Sequence, residues 1–179
     1  MILGGRNWKK QSKLYTDFEK HMERLWAKVR IARKSYEECV ILAMDAKIID
    51  TSVIVKWFVD EEDSDKAKIY LEDFKNRKIS IIVPNLMFYE LGNVLLSKKA
   101  SKRQSEDIIN FLNRLRFEVI DFGRDAFGKI FQTAQEMGIT FYDASYVTLS
   151  ITLSGSELVT SDRKLYDKLH GKFSSVKLL

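Results

Sequence analysis

The chain has 179 residues, which suits one domain, and 45% of them are hydrophobic, which is enough for a buried core and excludes a disordered protein. A single cysteine, Cys39, excludes a disulfide framework, and no run approaches the ~18 uninterrupted apolar residues that a membrane span requires. The first basic residues precede no apolar segment, so they do not form a signal peptide, and we expect a soluble cytoplasmic protein.

The net charge of +5 is confined to the start of the chain. Residues 1–43 contain ten Lys or Arg and five Asp or Glu, whereas residues 44–179 contain twenty of each. This change in composition predicts a boundary near residue 43.

Residues 1–43 show a helical pattern of apolar positions. The spacing alternates between three and four residues over four heptads, at Tyr15, Phe18, Met22, Leu25, Val29, Ala32, Tyr36, Cys39 and Ala43. We expect a basic amphipathic helical extension that docks on its own chain or on a second subunit. The alternative is that Met44 is the true start and that the segment is a translation artefact.

The stretch KIIDTSVIVKWF, residues 47–58, begins as a short buried strand that ends at a carboxylate, Asp50. Two hydroxyl residues follow, Thr51 and Ser52, and then a second apolar segment. Asp50 either caps a helix or binds a group that needs negative charge.

Strands and helices alternate along the rest of the chain. Further strands are predicted at 79–83, 117–122, 157–160 and 176–179. Helices are predicted at 63–78 with Ser64 as its cap, through residue 99 with Pro84 in the first turn, and after the cap Ser101 through 115. Further helices are predicted at 124–137, at 141–154 with Gly155 as its stop, and at 161–170. This alternation predicts an α/β fold with a mainly parallel sheet that is covered on both faces, and ligands collect at the carboxyl ends of such strands.

Glu90 lies on a helix whose neighbouring residues are apolar, NLMFY before it and LGNVLL after it. Burying an unpaired charge costs several kcal/mol, so such a carboxylate is normally paired, protonated or bound to a cation. No Lys or Arg stands three or four residues away to pair with it.

Three further acids, Asp50, Asp143 and Asp162, stand at predicted helix starts. Each one alone is best interpreted as a helix N-cap. Together with Glu90 they form a set that could meet at one edge of the sheet, where four carboxylates would repel each other unless a cation lies between them. Oxygen ligands favour Mg²⁺ or Mn²⁺, and the few His and Cys residues disfavour zinc and histidine acid–base cleavage. An acidic site of this kind suits hydrolysis of phosphodiester bonds.

The sequence resembles the PIN-domain ribonucleases, in particular the VapC-type toxins of type II toxin–antitoxin pairs. The matching stretches are IIDTSV, FYELGNVL, FYDASYVTLS and LVTSDRKL, in that order, and the resemblance covers about residues 44–179. The resemblance assigns no counterpart to residues 1–43.

The resemblance implies a three-layer α/β/α sandwich and a Mg²⁺- or Mn²⁺-dependent endoribonuclease. It places Asp50, Glu90, Asp143 and Asp162 at the metal-binding and catalytic positions, and Thr51 or Ser52 as a supporting hydroxyl that bonds metal-bound water or the first Asp. It also implies a homodimer and a cognate antitoxin that blocks the site.

Two basic groups are candidate RNA contacts, although either could be a solvated surface. Arg163 and Lys164 follow the fourth acid directly, and a second group lies between two helices at Lys98, Lys99, Lys102 and Arg103. Trp57 and Phe58 could stack an unpaired base, but they more often fill a core or an interface.

Two other classes of protein are disfavoured by the sequence, and two alternatives within the PIN fold remain. A haloacid dehalogenase-type phosphatase needs a second Asp where Ser52 stands, and a receiver domain needs an adjacent pair of acids that is missing here. A housekeeping PIN nuclease of RNA maturation, or a PIN fold that binds RNA or protein without cleavage, stays possible.

Overall fold

The computed structural model describes residues 45–153 and 156–179. The predicted N-terminal helical extension and the predicted helix stop at Gly155 lie outside these residues, so both stay predictions, as does the boundary near residue 43.

Five parallel strands form one sheet in the order β3-β2-β1-β4-β5. The strands are Asp45–Ile49 (β1), Ile79–Pro84 (β2), Glu118–Ile120 (β3), Glu157–Thr160 (β4) and Val176–Leu178 (β5). The central strand β1 pairs with β2 on one side and with β4 on the other. The strand order therefore reverses at β1, and crevices at such points are where open α/β sheets bind ligands.

Seven helices are found among the described residues. They are Thr51–Val55 (α1), Ser64–Lys75 (α2), Leu86–Ser97 (α3), Lys102–Leu115 (α4), Ala126–Met137 (α5), Phe141–Thr152 (α6) and Arg163–Leu169 (α7). None of these described helices is long and apolar enough to cross a membrane.

The core lies on both faces of the sheet. Ile49, Ile81 and Val159 pack in one cluster with side chains of α1, α2, α3 and α4. Ile48 and Leu158 are completely buried as well, and they point to the opposite face because successive strand residues alternate. The predicted three-layer α/β/α sandwich is confirmed.

Two details of the prediction were wrong. Pro84 is the last residue of β2 rather than the first turn of a helix, and it pairs with Ile120 at the strand end before α3 begins at Leu86. Ser64 does not cap α2 but is its first residue; its hydroxyl instead donates to the carbonyl of Val59. Short hydroxyl side chains bond to nearby backbone in several ways, which sequence does not distinguish.

One predicted cap is present in full. The Ser101 side chain accepts a hydrogen bond from the backbone N–H of Gln104, whose own side chain accepts one from the backbone N–H of Ser101. This capping box satisfies two N–H groups that the first turn of α4 would otherwise leave unpaired.

Candidate active site

Three of the four predicted acids follow adjacent strands of the sheet. Asp50 comes directly after β1, Asp162 comes two residues after β4, and Glu90 lies on α3, which follows β2. Asp143 lies in the first turn of α6. The first three therefore gather around the carboxyl ends of the central strands, where the strand order reverses. Asp143 lies near them, since its charge raises the pKa values of Asp50 and Glu90.

Asp50 is held by two hydroxyl groups from different parts of the chain. Ser52 Oγ and Thr160 Oγ1 each donate to Asp50 Oδ2 at 2.6 Å. The backbone N–H of Asp50 also donates to the carbonyl of Val159 at 3.0 Å, which continues the β1–β4 pairing to the site. Burial raises the pKa of the Asp50 carboxyl, the hydroxyl donors oppose this, and nearby Asp143 adds to the rise.

Glu90 is held by a second pair of hydroxyl groups. Tyr146 Oη donates to Glu90 Oε2 at 2.6 Å, and Thr51 Oγ1 donates to the same oxygen at 2.8 Å. Burial raises the pKa of Glu90, and the charges of Asp50 and Asp143 raise it further. Burial, Asp50 and Glu90 likewise raise the pKa of the Tyr146 phenol, which therefore stays protonated and donates.

The other two acids take part in the starts of helices. The N-cap of α6 is Thr140, whose Oγ1 accepts from the backbone N–H of Asp143 at 3.1 Å and donates to Asp143 Oδ2 at 2.7 Å. The N-cap interpretation of Asp143 is therefore wrong, because this acid lies three residues inside. Asp162 does cap α7: its Oδ1 accepts from the backbone N–H groups of Lys164 and Leu165 at 2.8 and 3.1 Å.

Asp50 stands at the N-cap position of α1, but its side chain makes no cap hydrogen bond there. The carboxylate turns instead to Ser52 and Thr160. Of the three helix-cap interpretations, only that of Asp162 describes what the side chain does.

In three of the four carboxylates, two hydrogen bonds from described side chains or a helix start converge on one oxygen, and in Asp143 one oxygen accepts a single bond. These oxygens are Asp50 Oδ2, Glu90 Oε2, Asp143 Oδ2 and Asp162 Oδ1. Each carboxylate is thereby oriented while its second oxygen is left for another ligand. Such an arrangement is common around metal sites, where hydrogen-bond partners fix the orientation of the residues that bind the metal.

The structure brings three of the acids close enough to act on each other. Asp50 and Asp143 both raise the pKa of Glu90, and Asp143 raises that of Asp50. Asp162 is exposed at the side of this group. It is connected through Thr160, whose Oγ1 accepts from the backbone N–H of Asp162 at 3.0 Å and donates to Asp50.

The donor set fits a small divalent cation. All four candidate ligands offer carboxylate oxygen, which Mg²⁺ and Mn²⁺ prefer. Within residues 45–153 and 156–179, no three His, Cys, Asp or Glu side chains stand together as a ready cage for a metal. Mg²⁺ does not need such a cage, because it keeps several waters and is usually bound through one or two carboxylates and substrate phosphates.

Two hydroxyl residues of the site, Thr160 and Tyr146, were missed by sequence reasoning. Both stand within the stretches that carry acids: Thr160 two residues before Asp162 and Tyr146 three residues after Asp143. The i, i+3 spacing of Asp143 and Tyr146 was the available signal, since it places them on one face of a helix. The two predicted supporting hydroxyls contact different acids: Ser52 donates a hydrogen bond to Asp50, whereas Thr51 donates one to Glu90.

The candidate RNA contacts differ in their surroundings. Arg163 and Lys164 are exposed at the start of α7, directly after Asp162. Lys98 forms an ion pair with Glu61 at 3.3 Å and Lys102 approaches Glu106 at 3.8 Å, so part of the charge of that second group is offset within the protein. The remaining two members of that group, Lys99 and Arg103, are exposed.

Trp57 belongs to the core and does not present its ring for base stacking. Its side chain is 8% exposed, its Nε1 donates to the carbonyl of Ala67 at 2.9 Å, and its ring packs against Phe117. Phe58 is partly buried and meets Phe111 edge to face.

We expect that replacing Asp50 or Glu90, which are both partly buried, by its amide raises the melting temperature of the metal-free protein. Burial raises the pKa values of Asp50 and Glu90, so the folded state binds protons more tightly than the unfolded state. Stability therefore falls as the pH rises from the ordinary carboxyl pKa through the raised one, and at neutral pH ionisation costs free energy. The variants Asp50→Asn and Glu90→Gln would avoid this cost, with a gain of roughly 2–4 °C for each kcal/mol recovered.

Differential scanning calorimetry with EDTA, at pH 7 and again near pH 4, measures this effect. The gain should shrink at the lower pH, because a larger share of the parent carboxyls with raised pKa is then protonated. A melting temperature that falls for Asp50→Asn and for Glu90→Gln would contradict the expectation.

Comparison with known proteins identifies a family to which this chain is similar. The PIN domain family profile matches residues 47–169. Exonuclease VapC9 of Pyrobaculum aerophilum is 26% identical over 133 residues, which are 70% of this chain and 94% of the relative. Ribonuclease VapC3 of the same organism is 28% identical over 130 residues, 68% of this chain and 92% of the relative.

A solved structure shares the fold. VapBC2 from Rickettsia felis, bound to a DNA fragment from their promoter, has a TM-score of 0.54 with 19% identity, and the match covers 75% of this chain and 98% of the other. The parallel α/β/α sandwich, with carboxylates near the ends of its central strands, is the structure of a PIN-like domain. The chain belongs to the PIN domain family, as the resemblance in the sequence predicted.

Proposed function

We propose that this protein is a metal-dependent endoribonuclease and the toxin of a VapC-type toxin–antitoxin pair, acting in the cytoplasm. The observation that carries this proposal is the orientation of four carboxylates near the place where the strand order reverses. Each carboxylate accepts its hydrogen bonds through one oxygen. The membership of the PIN domain family and the names of two relatives, a ribonuclease and an exonuclease, support nuclease activity.

In this proposal, Asp50, Glu90, Asp143 and Asp162 hold Mg²⁺ or Mn²⁺. When bound, the cation would activate the attacking water and offset the negative charge that develops on the phosphate oxygens. Ser52 and Thr160 keep Asp50 oriented, and Thr51 and Tyr146 keep Glu90 oriented. Arg163 and Lys164, exposed beside Asp162, bind the RNA backbone.

Two partners are part of the proposal. A cognate antitoxin would bind the toxin and block the acidic site, and a second copy of the chain would form a homodimer. Both follow from the resemblance to VapC-type toxins, and mass measurement of the protein alone and with the product of a neighbouring small gene tests them.

We expect the purified full-length chain to cleave single-stranded RNA internally in the presence of Mg²⁺ or Mn²⁺. A circular RNA is the sharpest substrate, because only an endonuclease can open it, whereas an exonuclease needs an end. EDTA should stop the reaction and added Mn²⁺ should restore it, and the products should carry 5′-phosphate and 3′-hydroxyl ends. Cleavage that continues in EDTA would exclude the metal-dependent reaction, and degradation of linear RNA alone would make the protein an exonuclease.

A further inference from the structure

One carboxylate oxygen of Glu90 and the hydroxyl oxygens of Tyr146 and Thr51 lie within hydrogen-bond distance of one another. Tyr146 Oη lies 2.6 Å from Glu90 Oε2, Thr51 Oγ1 lies 2.8 Å from the same oxygen, and the two hydroxyl oxygens lie 2.7 Å apart. Tyr146 is only 1% exposed. A buried hydroxyl needs hydrogen-bond partners, and here the phenol has an acceptor in Glu90 and a neighbour in Thr51.

The position of Tyr146 connects the helices that carry two of the acids. Its hydroxyl extends from α6, where Asp143 stands three residues earlier on the same face, to Glu90 on α3. Because the ring is fixed in the core and the phenol has a single donor hydrogen, the residue fixes which oxygen of Glu90 is occupied.

We propose that Tyr146 is a positioning residue, which occupies Oε2 of Glu90 together with Thr51 so that Oε1 is presented to the cation. This inference rests on the proposed function, because it assigns Glu90 as a ligand. It adds a residue outside the four acids and gives a reason for a phenol that is almost completely buried. Partners of this kind typically change metal affinity or activity by about 10–100-fold when they are removed.

The test is the binding of Mn²⁺ to the full-length protein, measured by isothermal titration calorimetry. Tyr146→Phe keeps the ring and removes only the hydroxyl, and we expect it to weaken Mn²⁺ binding by about tenfold or more. Circular dichroism and the melting temperature without metal show whether the variant is folded.

Thr148→Val is the matched control. Thr148 lies two residues further along α6 and is 2% exposed, and its hydroxyl donates to Thr133 Oγ1 on α5 at 3.0 Å rather than to one of the four acids. The variant also loses one buried hydroxyl, so its melting temperature should change while its Mn²⁺ affinity stays that of the parent.

Each outcome decides the matter. Mn²⁺ affinity of Tyr146→Phe equal to that of the parent overturns the positioning role and leaves the proposed nuclease standing. An equal loss of affinity in Thr148→Val also overturns it, since the effect would then be a general loosening of α6. A parent that neither binds Mn²⁺ nor cleaves RNA overturns both proposals. If Tyr146→Phe does not fold, Thr51→Val removes the other donor to Oε2, and an unchanged Mn²⁺ affinity of that variant overturns the role.

Discussion

Replacing Asp50 by asparagine is expected to lower the rate of RNA cleavage by about 10²-fold or more. The amide keeps the size of the side chain and can still accept from Ser52 and Thr160, but it removes a full negative charge from the centre of the site. Stabilisation of transition-state charge by a bound metal is worth several kcal/mol, and each change of about 1.4 kcal/mol is tenfold in rate. Initial rates on a circular RNA at saturating Mn²⁺ measure the change.

Asp121→Asn is the control for this experiment. Asp121 also stands at the carboxyl edge of the sheet, directly after β3, but it is exposed and bonds Asn85 Nδ2 at 2.7 Å. The same chemical change there should leave the rate close to that of the parent. If Asp50→Asn and Asp143→Asn both cleave at the parent rate, the assignment of the acidic site is wrong.

Replacing Trp57 by alanine is expected to cost about 3–5 kcal/mol in the free energy of unfolding. The ring fills the core between α2 and Phe117, and its N–H is hydrogen-bonded to the carbonyl of Ala67. The cavity that remains would lose packing on several sides, because the surrounding core relaxes only in part. Urea unfolding followed by circular dichroism measures the loss.

An exposed aromatic residue is the control for this loss of stability. Tyr89 is 71% exposed on α3, next to Glu90, and Tyr89→Ala should change the free energy of unfolding by less than about 0.5 kcal/mol. A Trp57→Ala protein with parental stability and weakened RNA binding would instead restore the base-stacking interpretation.

The placement of the candidate acids could be predicted from the sequence because its signal is local. A short apolar strand that ends at Asp50 or shortly before Asp162 places each carboxylate at a strand end, and parallel strands bring those ends to one edge. Glu90 was visible because a charge within an apolar helix needs a partner.

The hydroxyl partners could not be predicted with the same certainty because their bonds join distant parts of the chain. Thr160 meets Asp50 across 110 residues, and Tyr146 meets Glu90 across 56. Many Thr, Ser and Tyr residues stand near the four stretches, and only the folded arrangement decides which of them reach a carboxylate. Helix caps have a similar ambiguity, since Thr140 and Asp143 both suit the start of α6.

The pairing of β1 with β4 has a consequence for synthesis of the chain. Asp50 is synthesised before the strand β4 that pairs with β1, and Thr160, whose hydroxyl orients Asp50, follows it by 110 residues. At about 5–20 residues per second, translation separates the two by roughly 5–20 s. Throughout that interval the nascent chain lacks β4, Thr160 and Asp162, so a growing polypeptide carries an incomplete acidic centre. Under the proposed function, cleavage competence would therefore arise only after β4 and Asp162 have been synthesised.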